Sequence, residues 1–423
     1  MQGIQKPFPL TKYLTLILIA QAVLIPILVG VDVPYRDEWD SIIRGLVLRS
    51  QDGFHFSQLF LPVVEHRLPL PQALFQLLSQ DRYYPKLFML LSSFTHLVGW
   101  YFFTRSWFKD SCQKTEYKRL YFLAPIVLLL YFHWAQLMNY TMGVQLFWVL
   151  GPVATVAFIC ALLEKNLSLA IFSHLISILS FPTWPIHFGI LGAYYLWQIA
   201  KNNFKPTTRF NLAIGTFVLL TGALTFGYLY KSAGVGLAAS WPKVIQFAVF
   251  VIASPLSRYN QDLAWVFGPL FIVAWVYRMI RGPKYVSPEA LYLFGVLTLL
   301  SSLLIGYGRY NYGLSYAFGG HYLLLTVPGW CVVMYEVMSH LTKESHFRII
   351  TSALMLYLVV LSGKSMREEL TNRRPILLQA RLCLMEGNER NPQCAKVMEE
   401  IFLNNYTEKY QLVKAARDSG VFP

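Results

Sequence analysis

Charge is what this chain has least of. Only 14% of its residues are charged and 55% are hydrophobic, whereas an ordinary soluble domain is about 25% charged. That balance excludes a soluble globular protein, and no stretch outside the apolar runs is large enough for a separate soluble domain. A small-residue cleavage site is missing after the first apolar run, so the run reads as a permanent span and not as a signal peptide. Internal repeats and mid-span charges are also missing, which argues against a transporter or flippase. No spacing of His, Cys, Asp and Glu forms a metal-ligand pattern, and despite a net charge of +14 nothing points to nucleic acid. Cysteines number five. Cys160 and Cys331 fall inside apolar runs as small packing residues, and Cys112 sits in a loop assigned to the cytoplasm. Cys383 and Cys394 form the single pair in a polar segment, and a disulfide and two unrelated thiols both remain open.

Apolar runs are what the chain has instead. A bilayer crossing needs about 20 mostly apolar residues, and such runs occupy 12–31, 86–103, 121–138, 144–163, 167–181, 186–200, 210–230, 262–280, 287–306, 322–340 and 346–363. This pattern predicts an all-α polytopic membrane protein of about eleven spans, residues 1–363, with a polar tail, 364–423. The shorter run 244–257 reads as a re-entrant or surface helix. Lys and Arg concentrate in the loops after the second, sixth and eighth spans, which places the N-terminus in the cytoplasm. Parity then puts the first long loop, residues 32–85, and the tail outside the inner (plasma) membrane.

That first loop carries most of the chemistry. Asp32, Asp37, Glu38 and Asp40 follow the first span within nine residues, "DVPYRDEWD". Beyond them, Ile42, Ile43, Leu46 and Val47 recur at helical spacing, with Asp40 or Ser41 placed to cap the start, which predicts a helix lying on the membrane. A second such helix begins at Pro71, in "PQALFQLLSQ". Between the two sits "EHR", Glu65, His66 and Arg67. Late in the chain "GRYNYGLSYAFGGHY" sets Arg309 among Tyr307, Tyr310 and Tyr312.

A first span followed at once by an acidic pair, in a long outer loop with two surface helices, resembles the polytopic glycosyltransferases of the GT-C superfamily. The similarity covers most of the chain as architecture. In sequence it rests on "YRDEWD", "VVEHRLP" and the late glycine-tyrosine stretch, in which His321 stands where an arginine would be expected. The resemblance implies a polyprenyl-phosphate sugar as donor, an acceptor hydroxyl on a glycan, lipid or protein, and a carboxylate at the start of the first outer loop as base.

The residue types suit that chemistry in their own right. A carboxylate can take the acceptor proton, and Arg or His can neutralise a departing phosphate. Adjacent residues on an extended segment point apart, so one of Asp37 and Glu38 faces a substrate. Asp37 is the first choice as base and Asp40 the second. Arg309, Arg67, His66 and His321 are candidates for the donor phosphate, and Trp39, Glu65, Asn139, Gln145 and Tyr310 for the sugar. Gln136, Trp184 and His187 fall on the same side. No cofactor is required, although Asp37 and Glu38 would allow Mg or Mn. An O-antigen ligase or polymerase would instead place its large loop late in the chain.

Overall fold

The computed structural model describes residues 9–63, 66–79, 82–111, 117–180, 184–201, 208–225, 240–283, 286–341, 343–387, 391–402 and 406–422. Nearly all of them are helical, as lipid demands of a backbone that cannot hydrogen-bond to water. The first half contains α1 (Pro9–Leu28), α2 (Arg44–Asp52), α3 (Pro69–Ser79), α4 (Pro85–Ser111), α5 (Tyr117–Tyr131), α6 (Met138–Thr141), α7 (Gln145–Glu164), α8 (Leu167–Ser180) and α9 (Trp184–Ala200). The second half contains α10 (Arg209–Thr225), α11 (Trp241–Ser257), α12 (Gln261–Arg281), α13 (Pro288–Arg309), α14 (Leu323–Ser339), α15 (Glu344–Glu368), α16 (Arg374–Glu386), α17 (Pro392–Ile401) and α18 (Tyr406–Asp418). A two-residue antiparallel ladder, Pro62–Val63 with His66–Arg67, is the sole extended pairing among the described residues.

Among the described residues six helical stretches are long and apolar enough to cross a bilayer, and further apolar helices, α11 among them, are shorter. The molecule is therefore an all-helical, multi-pass membrane protein. Charged pairs tie some span ends together. Arg105 grips Glu164 with both carboxylate oxygens, at 2.7 and 2.8 Å, joining the ends of α4 and α7. Arg278 reaches the fully buried Glu336 at 2.9 Å, joining α12 to α14. Within the bundle His187 bonds His174 and Thr155, both at 3.0 Å, so it serves as interhelical glue.

The tail is neither loose nor separate. α15 runs on through a π-helical turn, Glu369–Arg373, into α16. A disulfide between Cys383 and Cys394 then fastens α16 to α17. Leu384, Met398, Ile401, Phe402 and Phe422 of the tail share one buried cluster with Val33, Trp39, Ile43, Leu46 and Phe75 of the first loop. The tail thus lies on the same face as the acidic cluster.

This packing corrects the expectation of surface helices. The first begins as a π-helical turn, Trp39–Ile43, and continues as α2. Its apolar face, Ile42, Ile43, Leu46 and Val47, is buried within that cluster and not laid on lipid. An apolar stripe looks the same in sequence whether protein or lipid covers it. Neither expected cap forms, because Asp40 pairs with Lys409 and the Ser41 hydroxyl donates to the Asp37 carbonyl. The second helix starts at Pro69, two residues before the expected Pro71.

Candidate functional site

The backbone that carries Asp37 is pinned from several directions. Arg36 sits at φ +52°, a left-handed conformation that costs a non-glycine residue about 1–2 kcal/mol. The tail holds it there: the Arg36 N–H donates to the Ile401 carbonyl at 2.9 Å. One residue on, Glu38 is fully buried and accepts the Tyr35 N–H at 2.6 Å and the Val144 N–H at 2.8 Å. It therefore links the first loop to the start of α7. Gly143 makes room for this link, since a Cβ there would come within 2.5 Å of the Tyr83 hydroxyl and 3.0 Å of Glu38 Oε1.

The four carboxylates have different fates. Asp32 Oδ1 accepts the Lys86 N–H at 3.3 Å, Glu38 holds backbone, and Asp40 pairs with Lys409. Asp37 alone makes no side-chain hydrogen bond among the described residues. Burial raises its carboxyl above the ordinary value of 3.8, and Asp40 pushes it further in the same direction. Arg36, Arg309 and Lys409 pull it back. Glu38 is lifted to about 7 by burial, against the opposing bonds from Val144 and Tyr35. Both groups show the desolvation that perturbs functional carboxylates.

Arg309, at the end of α13, is one of the cations whose charge bears on Asp37. It also bears electrostatically on His321, together with Arg258. His321 lies against the Trp148 ring at 4.3 Å between centroids. Buried beside it, Asn139 donates to the Gly320 carbonyl at 3.4 Å. Gln145 is buried at the start of α7, where its amide reaches the Met142 sulfur at 3.8 Å. Tyr310 packs on the edge of an apolar cluster around Phe247 and Phe318.

Other expectations fare differently. Trp39 is fully buried, donates to the Pro34 carbonyl at 3.1 Å and packs on Phe402 at 5.0 Å, which leaves no face for a sugar. Arg67 belongs to the short ladder. Glu65 and the His66 side chain lie outside the described residues, as does Cys112. Both Glu38 carboxylate oxygens accept backbone amides, and no group of three or more metal-ligating side chains occurs among the described residues.

Sequence reasoning missed Arg258, Lys409, Tyr83 and Gly143. Arg258 could have been found, because it stands at the end of the apolar run 244–257, and an ionisable residue at membrane depth is a functional candidate. Lys409 could not, since nothing in a polar tail announces which acid it meets. No protein-family model matches the chain, and no curated protein matches it significantly.

Proposed function

We propose that the chain is a membrane glycosyltransferase that moves a sugar from a polyprenyl-phosphate donor to an acceptor hydroxyl, on the extracytoplasmic face of the inner membrane, with inversion. The observation that carries this reading is Asp37: a carboxylate whose side chain has no hydrogen-bond partner among the described residues, whose pKa burial raises, which follows the left-handed Arg36, and on which the charge of Arg309 acts. Strain at such a position is retained only where the surroundings over-determine it, and it gathers at functional sites.

In the reaction the acceptor hydroxyl gives its proton to the Asp37 carboxylate as its oxygen attacks the anomeric carbon. The bond from that carbon to the phosphate oxygen breaks, and its electron pair leaves on the lipid phosphate. Arg309 stabilises the charge that gathers there, where a guanidinium can offer two parallel N–H donors. Lys409 holds Asp40, and Glu38 fixes the loop.

Asp37→Asn tests the reading. It leaves the backbone hydrogen bonds of the loop in place and removes the base. Mass spectrometry of lipids from cells expressing the variant should show a polyprenyl-phosphate sugar that accumulates relative to wild type. Identical lipid profiles, with both proteins folded and the donor pathway active, would refute the transferase and favour a transporter.

A further inference from the structure

Ile401, the last residue of α17, and Phe402 after it grip the first loop on both sides of Asp37. The Ile401 carbonyl accepts the Arg36 N–H at 2.9 Å, and the Phe402 ring lies 5.0 Å from that of Trp39. Asp37 falls between the two gripped residues in the chain. Whatever fixes α17 therefore governs how firmly the loop is held.

α17 is short. Its ten residues are too few for a stable helix alone. Asn391 caps its start, accepting the Gln393 N–H at 3.0 Å, and Cys394, Val397, Met398 and Ile401 form its buried stripe. Its covalent tie is the disulfide from Cys394 to Cys383 of α16. That bridge sits about two helical turns, or about 10 Å, before Ile401. α18 has anchors of its own: Arg417 donates to the Leu384 carbonyl at 2.8 Å, Lys409 pairs with Asp40, and the Val421 carbonyl just beyond α18 accepts the Tyr83 N–H at 2.9 Å.

We infer that the Cys383–Cys394 disulfide is a maturation lock on the Asp37 loop: until it closes, α17 does not hold Arg36 and Trp39, and Asp37 is not positioned. The lock rests on the transferase reading for its catalytic meaning and on the outer-face placement for its oxidant, while its mechanics rest on the contacts of Ile401 and Phe402. Closure is thiol–disulfide exchange with a protein disulfide oxidant of an oxidising compartment. One tail thiolate attacks a sulfur of the oxidant's disulfide, the second attacks the mixed disulfide so formed, and the oxidant leaves as a dithiol carrying both electrons and both protons. In the finished molecule Cys383 and Cys394 are only 3% and 8% exposed. Exchange therefore precedes the docking of α17, and the closed bridge is afterwards shielded from reductants.

Hydrogen–deuterium exchange on the purified full chain in nanodiscs tests the lock without turnover. Removing the bridge with Cys383→Ala and Cys394→Ala together should speed exchange about a hundredfold in residues 392–402 and 33–41, the chain-entropy effect of opening a loop of this length. α18 and the spans α7 and α13 should exchange as in wild type. Uniformly faster exchange would make the bridge a general stabiliser and overturn the lock, as would faster exchange in 392–402 alone or no change at all. Wild type reduced in mild denaturant and then returned to buffer gives the same comparison without a substitution. Protection of 33–41 should be low in the dithiol and return on reoxidation, and reoxidation that leaves it low would overturn the lock. Loosened 33–41 with no sugar-lipid accumulation in Asp37→Asn would sink the transferase reading and leave the lock standing. Firm 33–41 alongside that accumulation would do the reverse.

Discussion

Glu38→Gln should erase a pH dependence of stability. Burial lifts the Glu38 carboxyl from 4.5 to about 7, although the Val144 and Tyr35 amides and the Tyr83 hydroxyl favour its charged form. Because the folded value lies above the unfolded one, folding favours the protonated acid. The contribution is whole below 4.5, declines as pH rises between 4.5 and about 7, and stays low above that. At 1.36 kcal/mol per pH unit the decline amounts to about 3 kcal/mol. Glutamine cannot ionise, so this contribution should vanish and the slope across the same window should be shallower by that amount. Stability should also be lower in absolute terms by about 1–3 kcal/mol at the acid end, since its NH2 must face one of two backbone N–H donors. Two assays check this on the full chain in nanodiscs. Infrared titration should show a protonated-carboxyl band that disappears with a midpoint near 7 and is absent from Glu38→Gln. Unfolding followed from about pH 5 to pH 8 should give a steeper slope in wild type than in the variant. A wild-type midpoint in the ordinary glutamate range, or an equal slope in both proteins, would refute the argument that burial outweighs the amide bonds.

Two further outcomes follow from the same loop. Lys409→Ala removes a cation that lowers the Asp37 carboxyl, so the acid limb of the transfer rate against pH should move to higher pH, because the base works only when ionised; an unmoved limb would mean that Asp37 is not the titrating group. Gly143→Ala places a Cβ 2.5 Å from the Tyr83 hydroxyl and 3.2 Å from Phe88 Cβ, and the overpacking should cost about 1–3 kcal/mol in unfolding experiments, whereas a mobile glycine with no packing role would tolerate the change.

The membrane character was legible because lipid imposes it residue by residue: a span must be apolar along its length, and that shows in any window of α7 or α13. The importance of the stretch after the first span was legible for a similar reason, since four carboxylates at the mouth of an apolar run demand an explanation. Their division of labour was not. Nothing in "RDEWD" says that Glu38 will be spent on the amides of Tyr35 and Val144, or that Asp40 will find a lysine near the other end of the chain. Those partners are distant in sequence and common in type. The packing of the tail was hidden for a different reason. Its helices carry narrow apolar stripes, Leu377, Ala380 and Leu384 on α16 and Cys394, Val397, Met398 and Ile401 on α17, and these read as polar overall until the complementary stripe of α2 is set against them.

That complementarity explains why a reactive-looking acid lies so near the C-terminus of the chain. The Asp37 side chain has no hydrogen bond among the described residues, so its position must come from its neighbours. Arg36 is tied to Ile401, Asp40 to Lys409 and the Asp37 carbonyl to Ser41, while Trp39 is locked between Phe402 and Phe422 at 5.0 and 5.9 Å. Three of these four tethers belong to the tail. A left-handed arginine costing about 1–2 kcal/mol would relax if they were released, and Asp37 would turn with it. The tail is therefore part of the loop's architecture: it supplies the rigid frame that lets one half-buried carboxylate remain unbonded among the described residues, the condition that the proposed base would need before a substrate arrives.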